Sequence, residues 1–304
     1  MRTVFMGTPE IAVPALAMLA RRTQVALVIT QPDRPAGRGM KLTPPPVKVA
    51  AEELGLPVWQ PESMRGAEGD PRLAGHDLFV VMAYGELLRQ PVLDLPRACI
   101  NLHASLLPRW RGASPLQACI RAGDAETGVC VMGMVAALDA GPVYTTERIA
   151  LGATTTLPEL HDTVAATAAT ALGRFLDAWP DITATPQDDT LATVCRKLTA
   201  EHGRLDWSAS AVELERQVRA YTPAPGCWTT LGGERLRVQA VRIAIAAGTA
   251  PLGTVRLVDG RVIVACGDGA LELLRVQPQG GKAMEADAFA RGRRDLDGAQ
   301  LGGD

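Results

Sequence analysis

The chain has 304 residues, and its 31 lysines and arginines against 33 aspartates and glutamates leave a formal net charge of -2. That balance excludes a globally basic surface for nucleic acid, so any RNA contact has to come from local patches. The length exceeds the usual size of one domain and predicts two, each with its own core; the longest apolar run, Leu78 to Ala83, is far too short to span a bilayer.

In chain order, Arg2 to Met6 reads as a strand, Ile11 to Leu19 as a helix, Val25 to Thr30 as a strand, Val47 to Leu54 as a helix and Leu78 to Ala83 as a fully buried strand. A short strand ends at Asn101; a helix near Pro115 to Arg121 follows, then strands near Gly128 to Val135 and Val143 to Ile149. Strands alternating with helices specify a doubly wound, Rossmann-like α/β sheet, with functional loops at the carboxyl ends of its strands. Thr156-Leu-Pro-Glu159 has capping-box spacing and opens an Ala-rich helix to about Trp179. Residues 181–208 are polar and irregular and read as a linker between a domain at 1–180 and another at 209–304. Beyond it, Ser210-Ala-Val-Glu213 caps a helix through Ala220, and the pattern changes to short strands at Cys227 to Leu231, Leu236 to Ile245, Gly253 to Val258, Arg261 to Ala265 and Ala270 to Val276. Gly232-Gly233 and Asp259-Gly260 are hairpin signals between them, and five such strands predict a small β-barrel.

Gly7-Thr8-Pro9 stands where a dinucleotide fold carries its glycine fingerprint, but GxGxxG is absent, which argues for a plain strand-to-helix turn and against a nicotinamide cofactor. The six cysteines (99, 119, 130, 195, 227, 266) are scattered without CxxC or a histidine at ligand spacing, and read as reduced core thiols rather than disulfides or a metal site. The chain begins directly in a strand with no signal or transit segment ahead of it, so a cytoplasmic protein with no membrane association is expected.

The most informative segment is Asn101-Leu-His-Ala-Ser-Leu-Leu-Pro-Arg-Trp-Arg-Gly112, after the apolar Ala98-Cys99-Ile100. Alternation along a strand sends Asn101 and His103 to one face, beside a basic, Pro-broken loop. A carboxamide and an imidazole held side by side suit acyl chemistry, the first as a hydrogen-bond donor to an oxyanion and the second as a source of charge or a proton near neutral pH. A strand at Val129 and Val131 then runs into a loop that presents Asp139 just before Gly141-Pro142, a common location for a functional residue.

Asn101, His103 and Asp139 together resemble the triad of the folate-dependent formyltransferases. The motifs His103 to Gln117 and Leu138-Asp139-Ala140-Gly141 are similar to those of the methionyl-tRNA formyltransferase family. Further matches run in order along the chain: Val4 to Pro9, Thr30 to Gly39, Ala83-Tyr84-Gly85, Lys197-Leu198, Leu205 to Ser208, Arg219-Ala220-Tyr221, Gly267-Asp268-Gly269, and Gln277-Pro278 with Gly281 to Met284. The resemblance implies an OB-like C-terminal barrel and transfer of the formyl group of 10-formyl-tetrahydrofolate to the methionyl amine on initiator tRNA, by a monomer that needs no metal. It implies catalytic roles for Asn101, His103 and Asp139, and a folate site of backbone and apolar character at Tyr84, Gly85, Ser105, Leu106, Leu107 and Pro108. The loop Gln31 to Pro46 would meet the tRNA acceptor end through Arg34, Arg38 and Lys41, and Arg235, Arg237, Arg242, Arg256 and Arg261 would give the barrel a basic face for phosphates. Val135 and Ala137 depart from an acidic residue and a glycine common in the family, and Met40 from a commonly basic one. Two other readings remain open: formylation of a small amine by the same fold, and an inert RNA-binding protein that kept it. The long loop and barrel argue against the first, and the intact triad against the second.

Overall fold

A computed structural model describes residues 1–36, 39–245 and 250–303. The chain begins with β1 (Arg2–Gly7), α1 (Val13–Arg22), β2 (Gln24–Ile29), a hairpin of β3 (Arg34–Ala36) and β4 (Lys41–Thr43), α2 (Pro46–Glu53), β5 (Val58–Trp59) and β6 (Leu78–Met82). It continues through α3 (Gln90–Leu93), β7 (Ala98–His103), β8 (Arg111–Gly112), α4 (Pro115–Ala122), β9 (Glu126–Gly133), β10 (Val143–Ala150), α5 (Leu157–Ala178) and β11 (Val194–Cys195). Seven strands form one sheet in the order β10-β9-β7-β6-β1-β2-β5. Within it β9 runs antiparallel to both its neighbours, while the remaining pairs are parallel.

Helices and loops cover both faces of the central strands, which is why Leu78–Met82 is apolar and buried without alternation. Val4, Met6, Leu27, Ile29, Phe79 and Val81 share one face with Met64, Leu73, Leu88 and Val92. Phe5, Val28 and Val80 are fully buried on the other. Each such side chain stabilises the fold by about 1.5–3 kcal/mol. The helix expected at Ile11 to Leu19 starts later, because Glu10–Ala12 form a 3-10 turn, and runs on to Arg22. The capping box at the head of α5 is present, with Glu159 accepting from both the backbone N–H and the hydroxyl of Thr156.

The chain divides into two compact units. The first holds Met1–Pro115, Glu126–Ala150 and Leu160–Cys195; the second holds Leu116–Ala125, Leu151–Glu159 and the chain from Arg196 onward. The front half of the stretch read from sequence as a linker therefore belongs to the first unit. Thr185 pairs with Val143 in a single bridge, and β11 pairs in parallel with β8, Val194 opposite Arg111. A two-residue strand, a lone bridge and one 3-10 turn at Asp189–Leu191 are too short to leave a periodic pattern.

In the second unit α6 (Ala211–Tyr221) is closed at its head by reciprocal bonds between Ser210 and Glu213, as expected. Then come β12 (Cys227–Leu231), β13 (Glu234–Ala244), β14 (Val255–Val258), β15 (Arg261–Ala265), β16 (Ala270–Pro278), β17 (Met284–Glu285) and α7 (Ala286–Arg291). The five main strands are antiparallel in the order β12-β13-β16-β15-β14, with β17 added to β16. Residues 299–302 bond to both edges. The Gly302 N–H donates to Thr230 O (3.0 Å) on one side; on the other, Val255 N–H donates to Ala299 O (2.8 Å) and Leu301 N–H to Gly253 O (2.9 Å). The sheet thus closes into a small barrel with no open edge there.

Candidate active site

Pairing with β6 and β9 fixes the register of β7, with Asn101 opposite Val81 and Met132, and His103 opposite Cys130. Alternation then puts the Asn101 and His103 side chains on one face. The strand β9 ends at Gly133, level with Ile100, and the loop 134–142 carries Asp139 across to them. Its Oδ1 lies 3.5 Å from Asn101 Nδ2 and its Oδ2 lies 3.6 Å from His103 Nδ1. One carboxylate therefore faces both side chains. The other ring nitrogen of His103, Nε2, is 2.9 Å from the carbonyl oxygen of Trp110. The ring thus lies between a backbone carbonyl and the Asp139 carboxylate. The His103 ring is buried, whereas Asn101 and Asp139 are half-buried.

Several contacts hold Asp139 in place. It adopts the left-handed region at φ 48°, which is uncommon for a residue with a side chain. Its Oδ2 accepts from Gly112 N–H at 2.8 Å, and its carbonyl accepts from Gln187 Nε2 at 2.9 Å. The same amide donates to Gly141 O at 2.7 Å, while Gln187 Oε1 accepts from Arg111 Nε and Nη2 at 3.0 and 2.9 Å. Arg111 also pairs with Asp189 at 2.7 Å. Gly112 sits at φ 117°, where a Cβ would stand 2.2 Å from the Cys195 carbonyl oxygen, so the approach of β11 to β8 requires glycine. Trp110 N–H donates to Thr193 Oγ1 at 2.9 Å, fixing the carbonyl that faces His103. The sequence reading missed Gln187, Asp189 and Thr193, which lie in its expected linker. The one local sign of order there is the Asp188-Asp-Thr190 turn, in which Asp188 accepts from Thr190 N–H.

The expected folate residues lie on the loops after β6 and β7, neighbouring parallel strands. Ser105 is buried and its hydroxyl donates to Arg109 O at 2.6 Å, closing the turn that exposes half-buried Leu106, Leu107 and Pro108. The Tyr84 side chain belongs to the core, where burial first and Glu86 second push its phenol above the ordinary range. Its backbone carbonyl accepts from Thr8 Oγ1 at 2.8 Å, joining the ends of β1 and β6 where the strand order reverses. Gly85, at φ 92°, leaves open space bordered only by Gln31 Cγ at 4.0 Å from where its Cβ would be. Strand-order reversal with open space beside it is where α/β sheets take ligands.

Arg34 and Lys41 lie on the β3–β4 hairpin, and Arg38 falls outside the described residues. Arg34 donates to Gln31 Oε1 at 3.1 Å, and Lys41 is exposed beside exposed Met40 and Leu42. Lys48 pairs with Asp33 at 2.9 Å; a hydrogen bond from Gln60 first, and from Lys48 second, holds the Asp33 carboxyl below the usual range. On the barrel, Arg237 and Arg256 are exposed, Arg242 pairs with Glu272 at 2.6 Å, Arg261 lies 3.9 Å from Asp259, and Arg235 stacks on Trp228 at 3.8 Å. All six cysteines are buried free thiols, and burial pushes Cys99 and Cys227 up to about 12. Among the described residues no three His, Cys, Asp or Glu side chains converge to hold a metal, and no helix is long and apolar enough to cross a membrane.

The formyl transferase family matches residues 1–176, and the formyl transferase C-terminal domain matches residues 197–294. A methionyl-tRNA formyltransferase of Cereibacter sphaeroides is 45% identical over 295 residues, covering 96% of each chain. Another from Thiobacillus denitrificans is 46% identical, covering 99% of this chain and 100% of its own. Among solved structures, HypX from Aquifex aeolicus in complex with tetrahydrofolic acid is similar in fold, with a TM-score of 0.63 at 15% identity, over 98% of this chain and 48% of that one. With both domains matched and close to half of all residues identical over nearly the full length, the chain belongs to the methionyl-tRNA formyltransferase family.

Proposed function

We propose that the chain transfers the formyl group of 10-formyl-tetrahydrofolate to the α-amine of methionyl initiator tRNA, with Asn101, His103 and Asp139 as its catalytic residues. The observation that carries this reading is the meeting of these three side chains around one carboxylate, in a chain of this family. The folate donor supplies an electrophilic formyl carbon whose oxygen gains negative charge as the amine adds. Asn101 Nδ2 bears two hydrogens; one points to Asp139 and the other serves that oxygen. The His103 ring, placed between a carbonyl and a carboxylate, contributes positive charge beside it and donates from Nε2 by exchanging the Trp110 carbonyl for the oxyanion. Asp139 is the anionic group that balances the ring and passes the proton of the attacking amine to the folate nitrogen, which departs as the tetrahedral intermediate collapses, its bond to the formyl carbon breaking and the formyl C=O re-forming. No nucleophilic Ser or Cys is required, because the amine is the nucleophile.

The half-buried Leu106, Leu107 and Pro108 suit the flat faces of a folate's pterin ring, and the backbone at Tyr84 and the opening at Gly85 suit its polar edge of N–H and C=O groups, with Ser105 holding the turn. Arg34, Arg38 and Lys41 engage the tRNA acceptor end, and the barrel in residues 209–304 adds distributed phosphate contacts, while residues 1–180 perform the chemistry. All three catalytic groups come from one chain, so a monomer suffices; the reaction is assigned to the cytoplasm. Incubation with 10-formyl-tetrahydrofolate and methionine-charged initiator or elongator tRNA, scored for N-formylmethionine, tests the reading. Product on the initiator supports it, whereas formylation of a small amine in preference to either tRNA refutes it.

A further inference from the structure

The geometry points to Gln187 as a positioning residue for Asp139, one that acts on the reaction without touching a substrate; this inference rests on the catalytic reading of Asp139 given above. Gln187 bonds to two backbone carbonyls of the Asp139 loop. Its Nε2 donates to Asp139 O at 2.9 Å and to Gly141 O at 2.7 Å. Both hydrogens of the amide nitrogen are used, so its position relative to the loop is fixed by two directions rather than one. The carboxamide cannot be reversed, because Oε1 accepts two bonds from the Arg111 guanidinium and an NH2 there would face donors. Arg111 is itself held by Asp189 and by the backbone pairing of β8 with β11.

The arrangement has a clear physical purpose. Asp139 sits in the left-handed region, and the carbonyls of Asp139 and Gly141 each accept from the Gln187 amide. Without Gln187 those carbonyls have no donor in this clamp, and the loop can relax its φ. Its carboxylate then drifts from Asn101 and His103, whose contacts at 3.5 and 3.6 Å already lie at the long end of useful geometry. Gly112, whose N–H holds Oδ2, follows Arg111 in β8, so the clamp and the carboxylate's own anchor share one strand.

Two substitutions test this. Gln187→Met keeps the volume and removes every polar contact; Gln187→Glu keeps the bonds to Arg111 and turns the two donors into acceptors facing carbonyls. We expect each to lower kcat by about 10- to 100-fold, the scale of a misplaced catalytic group, with KM for folate and for tRNA changed less than about twofold. Should Gln187→Met fail to fold, the Glu variant, which keeps its pairing with Arg111, decides the matter. In an Asp139→Asn background, measured by single-turnover formylation, either substitution should cost less than about threefold more, because Gln187 acts through the carboxylate. Losses that multiply in full with Asp139→Asn, or a parental kcat in both Gln187 variants while Asp139→Asn is slow, overturn the inference alone. Parental activity in Asp139→Asn overturns the catalytic reading itself, and this inference with it.

Discussion

Replacing Gly141 by alanine tests how tightly the Asp139 loop is built. A Cβ at that position would stand 1.8 Å from the carbonyl oxygen of Gly133, and side-chain Cβ atoms essentially never approach closer than 3.0 Å, so the two backbones must move apart by more than an ångström. Gly133 is held in β9 and donates its N–H to Pro142 O at 2.8 Å, so the displacement falls on the loop rather than on the sheet. The bonds from Gln187 to Asp139 O and Gly141 O, at 2.9 and 2.7 Å, stretch with it. Overpacking of this kind costs about 1–3 kcal/mol, which lowers Tm by about 2–4 °C per kcal/mol in a domain of this size. The larger effect is on rate, since a catalytic group displaced by about 1 Å loses roughly 10²-fold. The assay is steady-state formylation of charged initiator tRNA together with a thermal melt, with Gly69→Ala as the control because no atom lies within 4 Å of the Cβ it adds. A Gly141→Ala enzyme with parental kcat and parental Tm would refute the argument that this loop sets the carboxylate.

His103→Ala and Asn101→Ala should fold normally, as circular dichroism will show, yet each lose about 10²–10³-fold in kcat, the scale for an oxyanion donor; the double variant should lose far less than the product, because both act on one charge. Asp139→Asn keeps the shape and deletes the charge, and should lower kcat; a parental rate would leave Asp139 a turn residue. Gln60→Leu removes the largest cause of the low Asp33 pKa, so the carboxyl midpoint followed by 13C NMR should rise towards the ordinary range. Because the folded value is the depressed one, the Asp33–Lys48 contact supports the fold above the unfolded carboxylate range and is lost as pH falls through the folded pKa, which hydrogen exchange near the β3–β4 hairpin will register. Thiol titration of the native protein should find almost no reactive cysteine, and all six only after denaturation, since each is buried.

Much of the architecture was legible because it depends on local pattern. The buried run at Leu78, the capping boxes at Thr156 and Ser210 and the alternating strands after Cys227 each report their own element, since hydrophobic periodicity and caps act within a few residues. The Asn101-x-His103 spacing likewise determined by itself that the two side chains share a face, through the period of a strand. What sequence could not decide was the meeting of distant segments. Asp139 reaches Asn101 and His103 because β9 pairs with β7 and the loop after it is held to Gly112 and Gln187, and no residue of β9 announces that partner. Likewise, the stretch from Thr185 to Cys195 reads as linker because its order comes from pairing with Val143, Arg111 and Gly112, not from its own apolar period. Residue types and their local spacing determined which candidate groups this chain carries; long-range backbone pairing, whose free energy lies in contacts between segments far apart in sequence, decided that Asn101, His103 and Asp139 converge and that Gln187 meets the Asp139 loop.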